Sequence, residues 1–123
     1  MWQRENMQKT LEDKRVFLLD DVRNYPEVTS LCRTATCGIK ALEMNPYYDI
    51  YYFDHDLGSL QEKSTGYDVL MYALHNRLLN PVGKVGLVTN NPVGKQKMVW
   101  LLEFYGYTFS LKTGFWSKES DVD

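Results

Sequence analysis

The sequence predicts an α/β domain built on a parallel sheet, and three observations carry that expectation. Short continuous apolar runs, of the kind buried on both faces of a sheet, recur along the chain: VFLL at 16–19, DIYYF at 49–53 and KVGLV at 84–88. Helical periodicity fills the segments between later runs, so strands alternate with helices. Each run ends in polar residues: Asp20-Asp21, then Asp54-His55-Asp56, then Thr89-Asn90-Asn91.

In chain order, residues 1–14 are polar and mixed in charge and read as a leader or short helix, with Trp2, Met7 and Leu11 able to pin it to the body. VFLL is the first strand. The polar loop VRNYP follows, closed by Pro26, and VTSLC at 28–32 reads as a second, shorter strand. A helix is expected from about Thr36 to Met44, with Ile39 and Leu42 inward and Pro46 ending it. DIYYF is aromatic and β-prone. The polar loop DHDLGSLQEKSTG leads to a helix over 67–80, where Leu70, Leu74 and Leu78 repeat at i+4. KVGLV is the fourth strand. The next helix spans about Val93–Tyr105, with Pro92 in its first turn and Gly106 at the position that ends it. YTFSLK at 107–112 alternates like an edge strand, the fifth. A short element and an acidic tail, 117–123, close the chain.

At 123 residues, one domain over 15–116 is expected. Such a chain can bury a core without disulfides or a structural metal. The formal net charge of -2 supplies no overall basic field for nucleic acid or anionic lipid, so phosphate recognition must be local. Cys32 and Cys37 fit no metal or redox spacing and are too few for a disulfide framework. No apolar run is long enough to span a membrane, and the first residues lack a secretory h-region. A reducing, cytoplasmic setting is the expectation.

Ligands of open α/β sheets bind beyond the carboxyl ends of the strands, which is where the three polar clusters fall if the strands are parallel. Strand alternation sets Asp54 and Asp56 on one side and His55 on the other, unless a loop begins at Asp56. Clustered carboxylates raise one another's pKa, and a divalent cation relieves the conflict. Mg²⁺ takes hard oxygen ligands, with Asp20, Asp21 and Asp54 a plausible set. A single Asp at a strand end is more often a turn former; three such ends in chain order favour a site. Between two aspartates, His55 is a candidate acid/base, whereas His75 reads as surface. Thr89 suits a helix cap or a hydrogen bond to a phosphoryl oxygen. Arg23 suits a solvated charge or a phosphate contact. NPVGK at 91–95 opens a helix whose free N–H groups favour an anion, without being a Walker A loop. Gly66 allows a backbone to approach a ligand, or simply starts a helix.

The order LLDDVRNYP, FDHDLG, GYDV and TNNPVGK, followed by Met98, resembles the cyclic-phosphate processing receiver family, across residues 15–105. The resemblance implies a flavodoxin-like, receiver-like three-layer sandwich with a central, mainly parallel five-stranded sheet. It implies a divalent metal at Asp20, Asp21 and Asp54; Mg²⁺ or Mn²⁺ is the expected ion, and Asp56 is a further candidate ligand. Asp54 falls at the receiver phosphoacceptor position and Thr89 at the receiver hydroxyl. Two departures stand out. Members of the family usually carry a His where this chain has Val88, and the receiver lysine has only a loose counterpart in Lys112.

Two classes of function follow. In one, a metal-dependent phosphoesterase opens a cyclic phosphate on a nucleotide or RNA end. Asp54, His55 and Thr89 are its catalytic candidates, and Arg23, Asn91, Val93, Gly94 and Lys95 hold phosphate oxygens. In the other, a non-catalytic module binds a nucleotide signal or protein partner, or accepts phosphate on Asp54. The absent second histidine and the many tyrosines, which can stack bases, favour that second class. A protein partner or a homo-oligomer is compatible with either.

Overall fold

The computed structural model describes residues 14–58 and 63–118; the expected leader, most of the acidic tail and part of the loop after Gly58 lie outside the described residues. The chain runs β1 (Val16–Leu19), β2 (Ser30–Cys32), α1 (Ala35–Met44), β3 (Ile50–Phe53), α2 (Gly66–His75), β4 (Lys84–Leu87), α3 (Pro92–Phe104), β5 (Thr108–Phe109) and β6 (Trp116–Ser117). These form an α/β sandwich around one sheet of order β2-β1-β3-β4-β6-β5. Strands β1 to β4 are parallel, while β6 runs antiparallel to both β4 and β5. The receiver-like, mostly parallel sheet is as the sequence suggests, with one strand more. The segment around Trp116 inserts between β4 and β5, and the expected edge strand becomes the outer edge of a hairpin.

Alternation along the strands sorts the two faces. Phe17, Leu19, Tyr51, Phe53 and Val85 join Leu42, Val69, Leu70, Met98 and Leu102 of the helices in one buried cluster. All three described helices therefore lie on one face. On the other, Tyr52 packs against Tyr25 of the β1–β2 loop at 5.3 Å and Phe115 at 5.8 Å between ring centroids. The VRNYP segment is a loop where a receiver has its first helix, so the described part of this layer is built from loops and aromatic rings.

Helix α1 starts where Thr34 accepts the Cys37 amide on its hydroxyl. Helix α2 opens with a capping box between Thr65 and Asp68, and α3 with the Asn91 side chain accepting the Gly94 amide at 3.0 Å. Helix α2 stops at His75, short of the expected end at 80. Arg77 turns left-handed (φ 56°), and the Leu78 amide bonds back to Ala73 at 2.8 Å. Leu78 does pack against the core, but from beyond the helix end, which is how it mimics helical spacing.

At the bottom of the sheet, fully buried Tyr51 ties two connections together, the α1–β3 loop and the α2–β4 loop. Its hydroxyl donates to the Pro46 carbonyl and accepts the Asn80 amide at 2.8 Å and the Tyr48 amide at 3.1 Å. Tyr51→Phe is expected to leave these groups without their partner and to cost about 1–3 kcal/mol, read as a lowered midpoint in chemical denaturation. An unchanged midpoint would mean that the loops do not depend on this hydroxyl.

Candidate metal and phosphate site

The ladder carries the carboxylates into position. One step beyond the strands, the Asp20 amide bonds to Cys32, the Asp54 amide to Leu19 and the Val88 amide to Phe53, at 2.9–3.0 Å. The side chains at these strand ends therefore start from a rigid edge. Asp20 is fully buried and Asp54 is 5% exposed. Asp20, Asp21 and Asp54 each offer a carboxylate oxygen, and these oxygens lie within 4.8 Å of one another.

Among the described residues, Arg23 pairs with two of these anions. The Arg23 guanidinium lies 2.9 Å from Asp20 and 3.6 Å from Asp54. Asp20 also accepts the Val22 and Arg23 amides, both at 2.9 Å. Burial opposes its charge, but these amides and the guanidinium outweigh burial and hold its carboxyl below the ordinary range. For Asp54 the balance is reversed. Burial first, then the neighbouring Asp20, push its carboxyl up, against the His55 amide, the Thr89 hydroxyl and Arg23.

Three glycines set the clearances. A Cβ on Gly66 would sit 1.5 Å from the Asp54 carbonyl oxygen, and one on Gly58, at φ 61°, 2.3 Å from an Asp21 carboxylate oxygen. A Cβ on Gly94 would fall 2.4 Å from the His55 ring. The glycines of DHDLG, GYDV and NPVG are thus the points where three loops close on the site.

His55 does not join the carboxylate cluster. Its Nδ1 lies 2.8 Å from Asp56, and Asn91 reaches the same carboxylate with 3.3 Å contacts to both oxygens. The loop has already turned at Asp56, so strand alternation no longer separates it from His55. Hydrogen bonding to His55, and then Asn91, holds the Asp56 carboxyl below its ordinary value. A carboxylate only accepts, so Nδ1 carries the proton of this contact, which leaves Nε2 as the acceptor of the neutral ring. Asp56 stands apart from the three clustered carboxylates; its partners are His55 and Asn91.

At the α3 N-terminus, the Gly94 amide is taken by the Asn91 side chain and the Lys95 amide by the Asn91 carbonyl at 2.8 Å. Among the described residues only the Val93 amide is left open in this turn, since Pro92 has none. Thr89 contacts Asp54 and accepts the Asn91 amide at 3.0 Å, linking the two halves of the site. The exposed Lys95 side chain contributes charge alone. Arg33 was not singled out from sequence. Its guanidinium donates to the Asp20 and Arg23 carbonyls, at 3.2 and 2.9 Å, and straps the β1–β2 loop. Its place directly after β2, at the same sheet edge, is the signal that would have found it.

The donor set fits a hard divalent cation: three carboxylate oxygen donors with the Arg23 guanidinium beside them. The raised Asp54 carboxyl supplies a stability test. A raised carboxyl takes up its proton sooner in the folded than in the unfolded chain, so its ionisation at neutral pH opposes folding and this penalty fades as pH falls through the folded value. Asp54→Asn is expected to raise the thermal midpoint of metal-free protein at pH 7, and to lack the further rise expected of the wild type when Mg²⁺ is added. Differential scanning calorimetry with EDTA and with Mg²⁺ reads both; a lowered midpoint in EDTA would contradict this charge balance.

Comparison with known proteins agrees with this geometry. The family model described as "Cyclic-phosphate processing Receiver domain" matches residues 15–104. No curated protein and no solved structure gave a match. The matched span begins one residue before β1 and ends with α3, and so takes in all three carboxylates, the His55–Asp56–Asn91 group and the three clearance glycines. The chain belongs to the cyclic-phosphate processing receiver domain family.

Proposed function

We propose that the protein is a metal-dependent phosphoesterase acting on a cyclic phosphate carried by a nucleotide or an RNA end. One observation carries this reading: a three-carboxylate cluster lies beside a histidine whose Nδ1 is tied to a separate carboxylate. The first arrangement suits a phosphoryl group with its divalent cation, and the second suits proton transfer. An ordinary phosphoaccepting receiver needs only the first.

Asp20, Asp21 and Asp54 would hold the cation, Mg²⁺ or Mn²⁺. When bound, it polarises the phosphoryl group and offsets developing negative charge. Asp56 fixes the His55 ring, with Asn91 holding Asp56 in turn, so that Nε2 is the atom that takes or gives a proton at the ester oxygen. Arg23, the Thr89 hydroxyl and the Val93 amide are the donors nearest to where phosphoryl oxygens would sit. Asn91, Gly94 and Lys95 shape that end of the site more than they bind, because the first two are already engaged in the α3 cap.

A non-catalytic reading has one observation in its favour. Val88, at the end of β4, takes the position where the family resemblance leads one to expect a histidine, so a second proton-transfer group is lacking there. Hydrolysis separates the two readings. Purified protein is assayed against 2′,3′-cyclic and 3′,5′-cyclic nucleotides and cyclic oligonucleotides, with Mg²⁺, with Mn²⁺ and with EDTA. The expected result is metal-dependent product from one class, abolished in Asp54→Asn and slowed by roughly 10²–10⁴-fold in His55→Ala. Tight metal-dependent binding without product would support the module instead.

A further inference from the structure

A second cavity lies at the opposite end of the sheet from the carboxylates. Strands β3 and β4 begin there, and α2 and α3 end there. Its volume is about 550 Å³, within the range of small-molecule sites. Leu74, Leu79 and Tyr107 form a buried floor. Arg77 and Lys118 supply its charged rim, with His75 beside them, and no carboxylate of the described residues lines it. Among the described residues no ion pair engages Arg77 or Lys118. In a chain of net charge -2, two cations thus share the rim of one cavity among the described residues.

The backbone at Arg77 points the same way. Helices α2 and α3 end in the same motif. After α3, the Gly106 amide bonds to Glu103 at 3.0 Å and the Tyr107 amide to Leu102 at 2.9 Å, around Gly106 at φ 90°. After α2, the Arg77 amide bonds to Leu74 at 3.3 Å and the Leu78 amide to Ala73 at 2.8 Å, around Arg77 at φ 56°. The left-handed position of this motif favours glycine. Arg77 is the only residue other than glycine with positive φ among the described residues. Aromatic surface completes the cavity. Tyr47 is 61% exposed at its mouth, and the Lys118 ammonium lies 5.8 Å from the Tyr107 ring centroid.

We propose that this cavity is a second ligand site, for a small molecule that joins a phosphate to a planar ring, of the nucleoside monophosphate class. Arg77 and Lys118 hold the phosphate, and Tyr47 and Tyr105 flank the ring. The site is independent of the chemistry assigned to the carboxylate end, and its test silences that end. The full chain, ¹⁵N-labelled and in EDTA, is titrated with AMP and separately with inorganic phosphate. Saturable shifts are expected at residues 73–79 and 105–107, with a Kd for AMP below about 1 mM and weaker binding of inorganic phosphate.

Arg77→Gly is the discriminating variant, since it gives the turn its preferred residue while removing the guanidinium. Its thermal midpoint should be unchanged or higher, while AMP affinity falls by about tenfold or more, as it should in Lys118→Gln. The proposal is overturned by the absence of saturable shifts at these residues, by wild-type affinity in both variants, or by inorganic phosphate binding as tightly as AMP.

Discussion

The contact between Arg23 and Asp20 is the interaction on which the carboxylate edge depends. Three carboxylates gather with one guanidinium among them, and two of the three are nearly or fully buried. Buried like charges are tolerated only where something offsets them. Two loop amides and the near guanidinium of Arg23 serve Asp20, whereas Asp54 meets that guanidinium only at 3.6 Å and is pushed by burial first, so one carboxyl is driven down and the other up. The fold thus ends its central strands in an unfinished charge balance, and a divalent cation is the simplest completion.

That balance also accounts for the loops. Arg23 acts only because the VRNYP segment leaves the sheet as a loop and folds back over Asp20, with Arg33 holding it from below. A helix in this place, as in a receiver, would direct the guanidinium elsewhere. The insertion of β6 between β4 and β5 has a related effect. It moves the end of β5 one strand further from β4, by about 4.8 Å, so a basic residue following β5 starts further from the carboxylates than in a five-stranded sheet. The cation beside Asp54 comes from the first loop.

The legible part of the fold was the part made by local pattern. Continuous apolar runs marked β1, β3 and β4 because strands buried on both faces have no other composition open to them. Their polar ends marked Asp20, Asp21 and Asp54 because parallel strands bring their carboxyl ends to one edge. What sequence did not give came from tertiary placement. The two residues of β6 are too few to carry a period. Leu78 kept helical spacing although the helix had ended, because the turn at Arg77 returns it to the same core. Asp56 looked like a fourth metal ligand, yet a single turn of the loop points it at His55 and Asn91. Gly94 and Lys95 looked like anion donors, but the capping role of Asn91 engages both amides.

The most direct test of the central claim is a crystal structure grown with Mn²⁺, with anomalous differences measured at the manganese edge. A single peak bonded to carboxylate oxygens of Asp20, Asp21 and Asp54, with Asp56 still paired to His55, is the result this charge balance requires. A manganese bound at Asp56, or none at the three clustered carboxylates, would contradict it.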